Sequence, residues 1–462
     1  MPAAAIILAA GLGTRLRSTR PKALHPIAGR SMLAHLIAAC EAVFDRIVVV
    51  IGPDMPGLEA AARPHATVVQ AERLGTGHAA AQAAGLLRDF AGDVAVLYAD
   101  NPLIPPATLG RLLARRVAQP DGAGLALLAM RPADPGRYGR VVTDAAGDVA
   151  RVVEWADASE AERRIGLCNA GVVAAPAGDL FRWLDAVRPE NAKSEYYLTD
   201  IVALAVADGR RVVAEEAAEA DLAGANSRAE LAVLEAAMQA RLRDAAMAGG
   251  ATLVAPETVF LAWDTAIGQD VTIGPNVVFG PGVTIEDEVE IRAFSHLEGC
   301  LVRRGAVIGP FARLRPGTEV GQAAHVGNFV ELKAALLGPG AKANHLSYLG
   351  DATIGAGANI GAGTITCNYD GIAKHRTEIG AGAFIGSDSA LVAPVRIGDR
   401  ALIAAGSVIT EDVPDDAMGI ARGRQANKPG RGAKPGRAGQ APDRAGQAPG
   451  RAGQAMPPKG TT

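Results

Sequence analysis

From Ile267 to Thr410 an aliphatic or aromatic residue returns every six positions, usually with a glycine behind it. The run reads Ile267-Gly268, Ile273-Gly274, Phe279-Gly280, Ile285-Glu286 and Ile291-Arg292, then Ile308-Gly309, Leu314-Arg315, Val320-Gly321 and Val326-Gly327. It returns at Ile354-Gly355, Ile360-Gly361, Ile379-Gly380, Ile385-Gly386, Leu391-Val392, Ile397-Gly398, Ile403-Ala404 and Ile409-Thr410, making seventeen matched hexads. A period of six fits neither the helical period of about 3.6 nor the two-residue alternation of an ordinary strand. It is the spacing of a parallel β-helix, in which each hexad is one short strand and three hexads close a triangular coil of about 18 residues. Aliphatics from successive coils then fill the axis of a rigid rod, with a small residue at each corner. Breaks in register mark loops. The clearest is Asn368–Glu378, which carries Asn368, Tyr369, Asp370, Lys374, His375 and Arg376 in place of core residues, and loops on a rigid scaffold are where function concentrates.

The first half obeys another rule. Short β-rich runs at Ala4–Leu8, Arg46–Ile51, Val94–Tyr98 and Gly124–Met130 alternate with helical patterns, which predicts an α/β domain over 1–222 with a mainly parallel sheet. Ligands of such sheets sit beyond the carboxyl ends of the strands, so Ala9–Lys22, Gly52–Asp54 and Ala99–Leu103 are where chemistry is expected. Residues 226–246 lack Gly and Pro and space Leu231, Leu234, Met238 and Leu242 at threes and fours, one face of a connecting helix. The expected division is therefore 1–222, a linker helix at 223–246, a β-helix at 247–425 and a tail at 426–462.

Composition removes other classes. In 462 residues no apolar run approaches the length of about 20 that a membrane helix needs, and the apolar start lacks a basic signal region; a cytoplasmic protein with no membrane partner is expected. The four cysteines, Cys40, Cys168, Cys300 and Cys367, are too scattered for a zinc or redox pair. The net charge of −3 hides an acidic body and a basic tail, since residues 425–462 hold seven Lys or Arg against the single Asp443. That tail repeats Gly-Arg-Ala-Gly-Gln-Ala and has almost no large apolar residue, so it is expected to be disordered. Without aromatics to stack on bases, it gives no reason to expect a nucleic-acid partner.

After the first strand the chain reads Leu8-Ala9-Ala10-Gly11-Leu12-Gly13-Thr14-Arg15, then Thr19-Arg20-Pro21-Lys22. Gly11 and Gly13 let backbone N–H groups approach phosphate oxygens, and Arg15 and Lys22 add positive charge. The spacing matches neither a Walker loop nor a dinucleotide fingerprint. It resembles the signature loop of sugar-1-phosphate nucleotidyltransferases. In the second half His345 stands within Asn344-His345-Leu346-Ser347-Tyr348-Leu349-Gly350, and an imidazole suits an acyl transfer to an amine because the attacking nitrogen must lose a proton near neutral pH.

Joined to Gln70-Ala71-Glu72, Leu74-Gly75-Thr76-Gly77-His78, Tyr138-Gly139-Arg140, Glu195-Tyr196-Tyr197-Leu198-Thr199-Asp200 and the hexads, these motifs resemble a bacterial family over roughly residues 4–425. That family is the bifunctional N-acetylglucosamine-1-phosphate uridyltransferase and glucosamine-1-phosphate N-acetyltransferase, which makes UDP-N-acetylglucosamine for envelope polymers. The resemblance implies an α/β Rossmann-like nucleotidyltransferase domain followed by a left-handed parallel β-helix. It implies that Leu8, Ala9, Gly11, Gly13, Arg15, Lys22, Gln70, Gly75, Thr76, Gly139, Glu154 and Asn169 bind UTP and the UDP-sugar, and that Asp100 and Asn226 hold Mg²⁺. Alone, Asp100 could cap a helix and Asn226 close a turn. It further implies His345 as the catalytic base, Arg315, Lys333, Tyr348 and Asn359 on glucosamine 1-phosphate, Asn368, Tyr369, Ser387, Ala405 and Arg422 at acetyl-CoA, and a homotrimer. The alternative is a nucleotidyltransferase whose β-helix is only structural. The chain departs from the family pattern at Ala99 and Asn101, which replace a Gly and an apolar residue on either side of Asp100, and at Gly423-Arg424 beside Arg422.

Overall fold

The computed structural model describes residues 1–118, 122–429 and 431. Nearly all of the segment expected to be a disordered tail lies outside them. Residues 1–420 form one compact unit, and Ala421 begins a second.

The amino-terminal sheet contains β1 (Ala3–Leu8), β2 (Arg46–Ile51), β3 (Ala66–Val69), β4 (Asp93–Tyr98), β5 (Leu125–Met130), β6 (Arg140–Thr143), β7 (Val149–Val153), β8 (Cys168–Pro176) and β9 (Val212–Glu216). Its order is β9-β5-β8-β4-β1-β2-β3, with the β6–β7 hairpin attached beside β8. The four runs legible in the sequence are β1, β2, β4 and β5, buried almost throughout. The sheet is more mixed than expected, because β8 runs antiparallel to both β4 and β5. β8 escapes a pattern search because Gly171, at φ +82°, interrupts it and the pairing shifts register between Asn169 and Val173. Such a bulge disturbs strand alternation and re-aims side chains.

The linker is an α-helix at Arg228–Ala248, shifted two residues toward the carboxyl end of the apolar-spaced run 226–246 and starting five residues after the expected linker boundary at 223. Ser227 caps it by accepting from the Glu230 amide at 3.2 Å. Leu234 is buried with Ile27, Met32, Leu103 and Ala225, whereas Leu242 packs on the β-helix core. The predicted apolar face therefore belongs to two cores at once. Buried Gln239 accepts from the Leu261 amide at 2.8 Å and donates to the Leu261 carbonyl at 2.7 Å. A two-residue turn at Ala28-Gly29, both with positive φ as tight hairpin turns demand, carries the amino-terminal domain onto the β-helix. There the Ala28 carbonyl accepts from Trp263 N at 2.9 Å and the Arg30 guanidinium lies 4.2 Å over the Trp263 ring.

From Thr252 on, strands of two to four residues stack into three parallel sheets, one per face of the β-helix. The inward residues of every coil, Ile273, Ile291, Ile308, Val326, Ala343, Ile360, Ile385 and Ile403 on one face, are almost wholly buried. One sequence expectation is corrected: most breaks in the hexad register are not loops. Leu297, Val302, Leu332, Leu337, Ala343, Leu349 and Thr366 all point inward and fill the gaps. The register slips because three corners, at Gly299, Ala334 and Asp351, are one residue shorter, so Leu297–Val302, Leu332–Leu337 and Leu349–Ile354 are five apart. The true insertion is 368–376, between strands Ile365–Cys367 and Thr377–Ile379, so the expected loop Asn368–Glu378 runs two residues into the second strand.

Where a glycine follows the inward aliphatic, it also has a specific cause. A Cβ on Gly355 would stand 2.4 Å from the Ala381 amide nitrogen, and one on Gly386 2.5 Å from that of Ala405. Gly357, two residues further round the corner, has φ +65° but nothing within 4 Å. The two glycines are therefore kept for different reasons, close approach and backbone conformation. Gly357→Ala is expected to cost about 1–2 kcal/mol, the strain of a left-handed L-residue; Gly355→Ala, which must separate two coils, is expected to lower the thermal midpoint further, as differential scanning calorimetry of both variants would read.

Candidate active sites

The loop after β1 turns back because Gly13 takes φ +62° and a Cβ there would meet the Lys22 side chain at 2.6 Å. Lys22 is thereby held against the carboxyl end of the sheet, at the mouth of a cavity of about 270 Å³. Leu8, Ala9, Gly11, Lys22, Gln70, Gly75, Thr76 and Asp100 line this cavity together with Arg73, Tyr98, Ala99 and Glu195. The first eight include seven of the nucleotide residues expected from sequence and one of the two metal residues. Gly75 has φ +119°, and a Cβ would sit 2.6 Å from the Tyr196 carbonyl oxygen. The chain is zipped there by Gly77 N to Tyr196 O at 2.8 Å and Tyr196 N to Leu74 O at 2.8 Å. Buried Gln70 donates to the Gly75 carbonyl at 3.1 Å.

Lys22 Nζ donates to Asp100 Oδ2 and, at 2.7 Å, to Asn226 Oδ1. Arg15 also donates to Asn226 Oδ1 at 2.9 Å. Two hard oxygens from distant segments thus converge on one cationic centre, a donor set that suits a divalent cation of the Mg²⁺ type. No cluster of three or more His, Cys, Asp or Glu able to hold a metal occurs among the described residues.

Gly139, Glu154 and Asn169 gather beside this cavity. The Asn169 amide donates to the Gly139 carbonyl at 2.8 Å, and a Cβ on Gly139 would be 3.6 Å from Glu154 Oε1. Glu154 Oε1 accepts from Thr199 Oγ1 at 3.1 Å, and burial pushes its carboxyl above the usual range. Buried Arg140 fixes the loop by donating to the carbonyls of Gly136 at 3.0 Å, Pro135 at 3.2 Å and Tyr138. Sequence reasoning missed Arg73, whose Nε donates to the Ala10 carbonyl at 2.8 Å, and Tyr98, whose ring packs on Gly171. Neither carries a local motif; only the sheet brings them to the cavity.

In the β-helix, Arg313, Glu331, Tyr348 and Ile365 stack in one outward row, and Lys333 and Gly350 are paired in the next. Arg315 donates to Glu331 Oε1 at 2.9 Å. Lys333 Nζ lies 3.4 Å from Asp351 Oδ2, which also accepts from Asn368 Nδ2 at 2.5 Å. Asn368 Nδ2 is 3.5 Å from the Tyr348 hydroxyl, and Gly350 leaves the room, since a Cβ there would stand 2.4 Å from that oxygen. Arg315, Lys333, Tyr348 and Asn368 are therefore brought together, with Asp351 as a contributor that the sequence did not flag. His345 stands at the preceding corner, exposed, its Nδ1 2.8 Å from Asn328 Oδ1 on the adjacent coil. Asn359 lies on the following coil, paired with Lys342. Tyr369 is exposed in the inserted loop, where its hydroxyl donates to the Gly371 carbonyl. Ser387 and Ala405 are exposed on successive coils further along, and Arg422 belongs to the unit that begins at Ala421.

An α/β cavity lined by the cations Lys22 and Arg73, followed by a β-helix with a basic polar cluster near a histidine corner, is the architecture of a two-domain transferase. Residues 5–165 match the MobA-like NTP transferase domain, and 264–299 and 376–411 match the bacterial transferase hexapeptide with six repeats. The "Bifunctional protein GlmU" of Gluconacetobacter diazotrophicus is 67% identical over 434 residues, covering 94% of each chain. The proteins of the same name from Acidiphilium cryptum and Granulibacter bethesdensis are each 63% identical, over 93% of this chain and 97% and 95% of theirs. The chain belongs to the bifunctional GlmU family, and its two domains are a nucleotidyltransferase and a left-handed β-helical acetyltransferase.

Asp200, which follows the Glu154 partner Thr199, is pushed up to about 6 by burial and by the Glu154 and Asp157 carboxylates. The folded state holds this proton while the unfolded chain, near 3.8, has released it, so this group lowers stability as pH rises from about 4 to about 6. Asp200→Asn is therefore expected to gain stability relative to the unmodified chain across that window and to show a constant gain above about pH 7, as melting curves at stepped pH would record.

Proposed function

We propose that the β-helix acetylates glucosamine 1-phosphate from acetyl-CoA, that the amino-terminal domain then transfers UMP from UTP to N-acetylglucosamine 1-phosphate, and that each site uses the residues gathered above. The two activities and their place in UDP-N-acetylglucosamine synthesis follow from family membership. The residue roles rest above all on the convergence of Asp100, Asn226 and Lys22 at the carboxyl end of the sheet.

In the first domain Gln70, Gly75 and Thr76 hold the uracil, the Gly11–Gly13 loop with Arg15 and Lys22 holds the phosphates, and Gly139, Glu154 and Asn169 hold the amino sugar. Asp100 and Asn226 hold Mg²⁺. When bound, the ion neutralises charge that builds up on the α-phosphate and on departing pyrophosphate. Lys22, now shared between Asp100 and Asn226, turns its ammonium to the phosphates when nucleotide enters.

In the second domain Arg315 and Lys333 take the sugar phosphate as two cations against one dianion, with Tyr348 and Asn359 completing the contacts. Asn368, Tyr369, Ser387, Ala405 and Arg422 serve acetyl-CoA. Asn328 Oδ1 accepts from His345 Nδ1–H, which leaves Nε2 with its lone pair and orients the ring. The amine nitrogen attacks the thioester carbonyl; Nε2 takes the amine proton, the C–N bond forms, the C–S bond breaks, and the proton passes on to the leaving thiolate. The protein acts as a cytoplasmic homotrimer supplying envelope polymer synthesis. No helix among the described residues is long and apolar enough to cross a membrane.

Free thiol and pyrophosphate, followed separately, test this reading. Asp100→Ala is expected to abolish pyrophosphate release while sparing thiol release, and His345→Ala to lower thiol release by about 10²–10⁴ while sparing uridyl transfer to added N-acetylglucosamine 1-phosphate. Loss of both activities in either folded variant would contradict two independent sites, and pyrophosphate release without any acetyl transfer would favour a purely structural β-helix.

A further inference from the structure

Asn101, which follows Asp100 directly, is buried. Its Nδ2 donates to the Leu222 carbonyl at 2.6 Å. One residue earlier, the Asp100 carbonyl accepts from the Ala225 amide at 3.3 Å. Between them Gly224 packs flush on the same segment: a Cβ there would lie 3.2 Å from both Asn101 Nδ2 and Asp100 O. The strap 222–226, which ends in Asn226, is thus seamed to the end of β4, which carries Asp100. Leu222 and Ala225 are themselves buried beneath it, at 1% and 0% exposure.

We infer that Asn101 is a positioning residue that sets the separation of the Asp100 and Asn226 oxygens, and thereby the affinity of the uridyltransferase site for its divalent cation. The inference rests on the proposed roles of Asp100 and Asn226. An oxygen pair supplied by two segments more than a hundred residues apart has only their mutual contacts to hold its spacing, and a cation of the Mg²⁺ type tolerates little departure from its preferred ligand distances. An apolar residue at 101 would leave the Leu222 carbonyl without its donor, a loss that buried polar groups feel strongly, and the strap would be free to shift.

Mn²⁺ as probe, bound to the full-length protein with UTP and read by the electron paramagnetic resonance of the free ion, tests this without turnover. Asn101→Val and Gly224→Ala perturb the seam from opposite sides, the second without removing any polar group. Each is expected to weaken Mn²⁺ binding by about 5- to 30-fold, the factor that one or two kcal/mol represents, while UTP binding in the absence of metal and acetyl transfer at the β-helix stay at their original values. Unchanged Mn²⁺ affinity in both variants overturns the inference if Asp100→Ala abolishes binding in the same assay. Retained affinity in Asp100→Ala would instead remove the metal assignment on which it rests. Equal losses of metal-free UTP binding and of Mn²⁺ binding would mark a general disturbance of the fold and would also overturn it.

Discussion

The close stacking of coils in the β-helix governs much of what the rest of the molecule can do. Neighbouring coils hydrogen-bond backbone to backbone at every corner, as Gly355 N to Ile379 O at 2.7 Å and Gly386 N to Ile403 O at 2.9 Å illustrate. At those points no side chain fits between layers. Where coils approach most closely the demand is met by a glycine after the inward aliphatic, as at Gly355 and Gly386, and the demand for a turn by a single left-handed residue further on, such as Asn276, Phe311 or Asp388. Because strands are clamped in this way, outward side chains fall into rows whose spacing the backbone dictates, close to the strand separation of any sheet. The basic cluster of Arg315 and Lys333 is a direct product of that ladder.

The amino-terminal site is assembled by the opposite means. Its residues come from strand ends and loops that meet only because β1 lies between β2 and β4. The Gly11–Lys22 loop and the Asp100 segment then emerge side by side. The Leu222–Asn226 strap arrives from the far end of the domain and continues directly into the long helix, whose apolar face is shared by both cores. Gln239, paired to both backbone groups of Leu261, makes the same helix a structural link between the two halves. Nothing in its sequence, apart from a polar residue among apolar neighbours, marks that role.

The hexads were legible because an unbroken chemical demand, one buried aliphatic per strand, repeats without interference. Where the inward position is Ala343 or Thr366, or where a corner is one residue shorter, the periodicity is lost to view although the coil continues. In the first domain the four most apolar strands could be read directly. β8 could not, since the glycine that admits the Tyr98 ring also interrupts its alternation. The candidate sites divide in the same way. Gly11, Gly13, Lys22 and His345 stand in recognisable local motifs, whereas Arg73, Tyr98, Asn328 and Asp351 have no motif and enter only through neighbours from other segments.

The hexads and the first-half motifs already required a repetitive parallel rod joined by a helix to an α/β domain, because periodicity and local motifs are properties of consecutive residues. The chemical equipment was equally legible, since glycine loops, cations and an imidazole can be counted along the chain. Which oxygens face which cation, that Asn101 ties Leu222 to the Asp100 segment, and that Asn328 stands one coil away from His345 emerge only on folding. Those relations depend on distances between segments remote in the chain, which packing and register establish and local composition does not encode.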